Sequence, residues 1–293
     1  MAVPVTIIMT VRENYSHTVK TISSLIEHTT LPYRFIYLDY KTPEPIKTEI
    51  SKFENVEIIE AVDSPYPTAS RFATVDIIDT DYTVYLDNNI LFSPLWLEKL
   101  IECMEEQPNA GIVGPIYLWK TNKIHMFGGN IRIENGIFNE EHHLINHDAS
   151  IIPTLRTRKC DYVEYHCLMV RTELLKQGVL DNKLLAAIEH VDLSLEANKL
   201  GYYTYITPES SITYVNEIEV QPNEYDLFRQ RWSANTVEND IKHFCEKWKV
   251  RDNFKGLRNF IKEHNATIVD KNAPSTLKVI NPQPVRMRKM MFM

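Results

Sequence analysis

Two short motifs and one histidine-rich stretch in this 293-residue chain have residue types and spacings able to do chemistry. Asp87-Asn88-Asn89 follows the run Tyr82-Thr83-Val84-Tyr85-Leu86 and precedes Pro94. A short apolar run rich in β-formers reads as a buried strand. In open α/β sheets, ligands bind at the carboxyl ends of such strands. Glu189-His190-Val191-Asp192 begins a helical pattern, so Glu189 and Asp192, three apart, share a face while His190 points elsewhere. A carboxylate or a neutral imidazole there can accept a proton near pH 7. Acids at a helix start also favour its positive end, by about 0.3–1 kcal/mol each. His142, His143, His147 and Asp148 offer metal donors. Adjacent histidines in an extended segment face opposite sides, so this stretch reads first as a solvated loop.

These groups need elements to hold them. Val5 to Thr10, Arg34 to Asp39 and Val56 to Ala61 read as strands, alternating with helices from about Ser16 to Thr29, Pro45 to Phe53 and Thr68 to Ile78. Val19, Ile22, Leu25 and Ile26 give the first helix one apolar face. Strands alternating with helices predict βαβ units and a mostly parallel central sheet flanked by helices. After a helix at Pro94 to Gln107, a strand is expected at Ala110 to Ile116 and a hairpin or β-loop at Ile124 to Ile133. Residues 134–158 read as a flexible loop or lid. Further strands are expected at Val163 to Val170, Tyr202 to Thr207 and Ile212 to Val215, with helices at Thr172 to Gln177 and Ile188 to Leu200. An aromatic-rich helical pattern runs from Glu224 to about Glu263. The expected division is a 1–220 α/β domain, a 221–270 helical extension packed on it and a basic extended tail at 271–293.

With 44% hydrophobic and 24% charged residues the chain is an ordinary globular protein, and its net charge of −7 argues against a nucleic-acid partner. The four cysteines lack paired spacing, and no apolar run is long enough to span a bilayer. A cytoplasmic protein without a transmembrane segment is expected. The basic tail is a candidate for peripheral membrane contact or contact with a second copy. Eight glycines form neither G-x-G-x-x-G nor G-x-x-x-x-G-K-[ST].

The chain resembles the GT-A glycosyltransferases that use nucleotide sugars, specifically the large inverting family 2. The resemblance rests on Val5-Thr-Ile-Ile-Met-Thr10, Phe35-Ile-Tyr-Leu-Asp39, Ala69-Ser-Arg71 and Tyr85-Leu-Asp-Asn-Asn89 in order. Gly111-Ile-Val-Gly-Pro115, His125-Met-Phe-Gly-Gly129, Cys167-Leu-Met-Val-Arg171 and Glu189-His-Val-Asp-Leu193 follow. It implies a GT-A fold and transfer of a sugar from a UDP-, GDP- or dTDP-sugar to a hydroxyl on a glycan, lipid-linked saccharide or small molecule. By resemblance Thr10 and Arg12 frame the nucleotide, Asp39 contacts base or ribose, Arg71 lies near the diphosphate, and Asp87 and Asn88 complete the donor site. Mg²⁺ or Mn²⁺ would be held by Asp87 and Asn89. The base belongs to Glu189-His190-Val191-Asp192, where His190 takes the second acidic position and Glu189 is the surviving carboxylate.

The chain departs from the family pattern at Asn89, where a carboxylate is usual, and at Thr213-Tyr214-Val215, where many members place a histidine. A neutral amide contributes no charge to a hard cation. Weak metal binding, metal-independent transfer or a catalytically silent binding protein are the expected consequences, and Asn88 and Asn89 could equally cap a turn. His166 and Cys167 fall where relatives carry small residues. Cys167 reads as core, and His166 either faces the acceptor or is a buried structural histidine. Trp232, Phe244, Trp248 and Phe254 read as core before sugar platforms.

Overall fold

The computed structural model describes residues 5–61, 64–268 and 277–280. Its first half is a run of βα units. β1 (Val5–Thr10), α1 (Thr18–His28), β2 (Arg34–Asp39), α2 (Glu44–Ile50), β3 (Val56–Glu60), α3 (Pro67–Ala73) and β4 (Tyr82–Asp87) follow in order. All side chains of β1 and β4 are buried, as strands covered on both faces require. α1 buries Ile22 and Leu25 from its apolar stripe. Pro67 sits in the first turn of α3, where a missing N–H costs nothing. β1, β2, β3 and β4 pair in parallel, with Thr10 level with both Leu38 and Asp87, so these strands end together at one edge.

The second half folds back into the same sheet. It contains β5 (Ile90–Phe92), α4 (Trp96–Glu106), β6 (Ala110–Trp119), β7 (Lys123–Met126), β8 (Gly129–Glu134), β9 (Ile137–His142), β10 (Arg158–Cys160), β11 (Cys167–Arg171), α5 (Thr172–Lys176) and α6 (Glu189–Lys199). Then come β12 (Tyr203–Tyr214), β13 (Glu217–Val220), α7 (Tyr225–Arg231), α8 (Ala234–Trp248), α9 (Lys255–Ile268) and β14 (Leu277–Ile280). The main sheet runs β10-β12-β6-β11-β4-β1-β2-β3, with β5 on β12 and β7 on β6. β11 is antiparallel to both β4 and β6, so the sheet is parallel on one side of β4 and mixed on the other.

Two expectations change. Residues 134–158 are not one irregular loop, since they carry β9 and a 3-10 helix at Ala149–Thr154 joined by turns. β9 pairs with β8 over six residues, and Asn135 and Gly136, with φ of +50° and +75°, form the hairpin turn that Asn-Gly favours. The expected strands at 202–207 and 212–215 are one bulged strand, β12, paired with β6 along its length. Gly129 is fixed by packing, because a Cβ there would fall 2.0 Å from the Tyr162 ring. The carboxyl-terminal helices pack on the hairpin through Phe138, Phe244 and Phe254, so these aromatic residues are core. The tail lies outside the described residues except for β14, which pairs with β13. No helix among the described residues is long and apolar enough to cross a membrane.

Candidate active site

Asp87 ends β4 and is buried at the level edge of the sheet. Its Oδ2 accepts from Arg12 Nη1 at 2.9 Å and lies 2.9 Å from His166 Nδ1, while its Oδ1 accepts from Arg71 Nη2 at 3.2 Å. Leu86 pairs with Cys167, which sets His166 beside Asp87. Arg71, on α3, is buried over the Tyr165 ring at 3.9 Å and also donates to Thr10 Oγ1. Burial would raise the Asp87 pKa, but Arg12, His166 and Arg71 outweigh it and hold the carboxyl well below its usual range.

The next two residues behave differently. Asn88 is a spacer: its Oδ1 accepts from the Arg12 N–H, and its Nδ2 donates to the Asn14 carbonyl and Thr18 Oγ1. It ties the loop after β1 and the start of α1 to the end of β4. Asn89 is also buried, but neither its Oδ1 nor its Nδ2 has a partner among the described residues. Its carbonyl accepts from Val215 N–H at 2.8 Å. The hard divalent cation that the resemblance implies does not fit here. Both Asp87 oxygens are already engaged by two guanidinium groups and an imidazole, and Asn89 adds no charge.

On the other side of Thr10, β2 ends in Asp39. Asp39 accepts from Lys47 Nζ at 2.5 Å and from the Thr42 N–H at 3.0 Å. Burial pushes its pKa up, but these partners more than offset that and hold it low. Thr10, Leu38, Tyr40, Ser64, Tyr66 and Ser70 line a narrow cavity of about 10 Å³ between the ends of β1, β2 and β3.

Glu189 begins α6, and the backbone in front of it is strained. Ile188, a β-branched residue, has φ of +67°. The loop is clamped from α8, where buried Asp240 accepts from the N–H groups of Leu185, Ala186 and Ala187 at 3.1, 2.6 and 2.9 Å. Buried Arg231 donates to the Ala186 carbonyl, and its Nε has no partner among the described residues. Burial, then Arg12, lowers the Arg231 pKa, with Glu189, Glu13 and Asp87 opposing. Glu189 is half-buried and accepts no hydrogen bond among the described residues. The His190 ring lies 5.4 Å from the Tyr162 ring. Asp192 points into the protein instead, accepting from Lys247 Nζ and Trp248 Nε1, both at 2.8 Å.

Several residues of the site carry no local sequence signal. Glu164 sits among three histidines: His125 Nε2 is 2.7 Å from Oε2, His166 Nε2 is 3.4 Å from Oε2, and His142 Nε2 is 3.4 Å from Oε1. Burial favours the neutral acid, but His125, His142 and His166 reverse this and lower the Glu164 pKa. Burial lowers His142 to about 4, and it also lowers His166. Tyr214 stacks on His166 at 4.0 Å. Of the histidine-rich stretch, only His142 enters this group. Asp148 instead accepts from the Ser150 N–H. Glu13, buried beside Arg12, accepts from Trp232 Nε1 at 2.8 Å.

Among solved structures, the fold is similar to GalNAc-T7 with UDP, GalNAc and Mn²⁺, at 12% identity and a TM-score of 0.57 over 89% of this chain and 54% of that one. This chain therefore spans about half the length of that protein. It is also similar to the mannosyltransferase PcManGT from Pyrobaculum calidifontis in complex with GDP-Man and Mn²⁺, at 11% identity and a TM-score of 0.55 over 92% of this chain and 70% of that one. At such identities the likeness is one of fold, the GT-A arrangement. No curated protein matches the sequence. The family model described as Glycosyl transferase family 2 matches residues 6–178, from β1 through the strand that carries Asp87 to the end of β11 and α5. With more than half of its length matched and the strand edge built as described, this chain belongs to glycosyl transferase family 2.

Proposed function

We propose that this chain transfers a sugar from a nucleotide-sugar donor (UDP-, GDP- or dTDP-linked) to a hydroxyl acceptor, with inversion and without a metal at Asp87 and Asn89. The nucleotide lies along the edge formed by Thr10, Asp39 and Asp87. Arg12 and Arg231 face the diphosphate, where guanidinium groups supply the positive charge that a metal otherwise brings. Arg71 and Asn88 hold Asp87 and the loop after β1. Glu189 takes the proton from the acceptor hydroxyl as its oxygen bonds to the anomeric carbon. The bond to the diphosphate oxygen breaks on the opposite face, and the diphosphate leaves with the electron pair. His190 borders the acceptor side. Asp192, taken up by Lys247 and Trp248, holds α6 against α8 and has no part in the chemistry.

The observation that carries this reading is Glu189 itself, a half-buried carboxylate without a hydrogen-bond partner among the described residues, held behind a strained turn within electrostatic reach of the Arg231 guanidinium. The test is incubation with a panel of nucleotide sugars and hydroxyl acceptors, with and without Mn²⁺, read as transfer or donor hydrolysis. Turnover independent of Mn²⁺ and reduced roughly 10²–10⁴-fold by Glu189→Gln is expected. Absence of nucleotide binding at millimolar donor sinks the proposal. A second reading, a silent nucleotide- or saccharide-binding member, draws support from the full engagement of Asp87. Donor binding without turnover would select it.

A further inference from the structure

We propose that His125, Glu164 and His166 form a binding site for one borderline divalent transition-metal ion of the Zn²⁺ class, separate from the Asp87-Asn88-Asn89 motif. One ligand atom from each of the three residues lies within 4.8 Å of the others. Among the described residues no other group of three histidine, cysteine or acidic side chains meets this condition. The donors converge from β7 and from the segment leading into β11, and His125 and His166 are buried.

The donor chemistry selects the ion. Two imidazoles and one carboxylate suit zinc, cobalt or nickel, whereas magnesium and calcium prefer all-oxygen sites. Three protein ligands with a fourth position open is the arrangement of zinc sites that admit a substrate or water. His142 Nε2 lies 3.4 Å from Oε1 of Glu164, outside this group of three. Tetrahedral ligand atoms at about 2.0 Å from zinc are roughly 3.3 Å apart. The 3.4 Å separation of His166 Nε2 and Glu164 Oε2 already matches, and the 2.7 Å contact of His125 with Glu164 opens slightly.

One further feature supports the site. His166 presents Nε2 to Glu164 while its Nδ1 lies 2.9 Å from Asp87 Oδ2, the carboxylate–histidine pairing that orients metal-bound imidazoles. The inference goes beyond the transferase reading and does not rest on it, because metal binding is read without donor or acceptor.

The full chain, stripped with a chelator, is titrated with ZnCl₂ and separately with CoCl₂ in the absence of nucleotide. One ion per chain is expected, with Co²⁺ giving the intense visible absorption of four- or five-coordination. His125→Gln and Glu164→Gln should each lower Zn²⁺ affinity by more than about 100-fold. His143→Gln, on the same stretch but outside the group, should leave it unchanged. Absence of Zn²⁺ binding, or binding equally tight in both ligand variants, overturns the proposal. Should a variant fail to fold, Co²⁺ absorption of the unaltered protein decides, and weak octahedral absorption overturns it.

Discussion

Asp87 and Glu164 are two carboxylates on either side of one imidazole, and their surroundings are opposite in kind. Asp87 is neutralised by Arg12 and Arg71, which stay charged at any accessible pH, and both of its oxygens are engaged. Glu164 is ringed by imidazoles that can be neutral, and two of their nitrogens have no partner. The family motif position is thus saturated by fixed positive charge, and the neighbouring position is built from groups that can give lone pairs to an ion.

The largest effect separating the two centres should be on stability. Asp87→Asn leaves Arg12 and Arg71 facing a neutral group inside the protein, and breaking a buried ion pair costs about 3–5 kcal/mol. Glu164→Gln keeps an acceptor for neutral imidazoles and should cost about 1–3 kcal/mol. Urea unfolding of both variants measures the difference, and an equal or reversed order would end the comparison.

A smaller effect is expected at Asn89. Its amide is buried without partners, so Asn89→Asp places an uncompensated charge there, costing about 2 kcal/mol or more in the presence of a chelator. Millimolar Mg²⁺, an oxygen-seeking ion, should restore the thermal midpoint of Asn89→Asp and leave that of the unaltered protein unmoved. A Mg²⁺ shift in the unaltered protein would show that the motif position takes hard cations despite Arg12 and Arg71.

The fold was largely legible because its signals are local. β1, β2 and β4 are apolar runs ending in polar residues, and the stripe of α1 is periodic. The hairpin of β8 and β9 was hidden because Asn139, Glu140, Glu141 and His142 make its second strand look like loop, although Asn135-Gly136 is a hairpin signal. Candidate site residues can be named from sequence where a residue ends a strand or starts a helix, as Asp87 and Glu189 do. Arg231, Glu164 and Glu13 reach the candidate site through tertiary packing, from positions without motif or period. The loop before Glu189 is held by Asp240, 53 to 55 residues further along the chain than the groups it clamps there, and spacing cannot disclose such a contact.

The smallest effect concerns a third carboxylate with cationic partners, more open to water than Asp87. Asp181 accepts from His243 Nε2 at 2.8 Å and Lys247 Nζ at 3.0 Å, and Lys247 also holds Asp192. Burial raises the Asp181 pKa, but His243, the Lys183 N–H and Lys247 outweigh it and bring it to about 2. A carboxyl with a folded pKa below its unfolded value of about 3.9 adds stability that is complete above that value. The contribution is lost as pH falls through about 2. Screening by water should keep it below about 1 kcal/mol. The difference in thermal midpoint between the unaltered protein and Asp181→Asn should therefore be constant above about pH 4 and vanish towards the folded pKa of about 2. A difference that persists into that acid range would mean that shape and hydrogen bonding, not charge, hold α8 at this point. The same outcome would lower the cost expected of Asp87→Asn, because at both carboxylates the ionic pairing, scaled by burial, carries the stability.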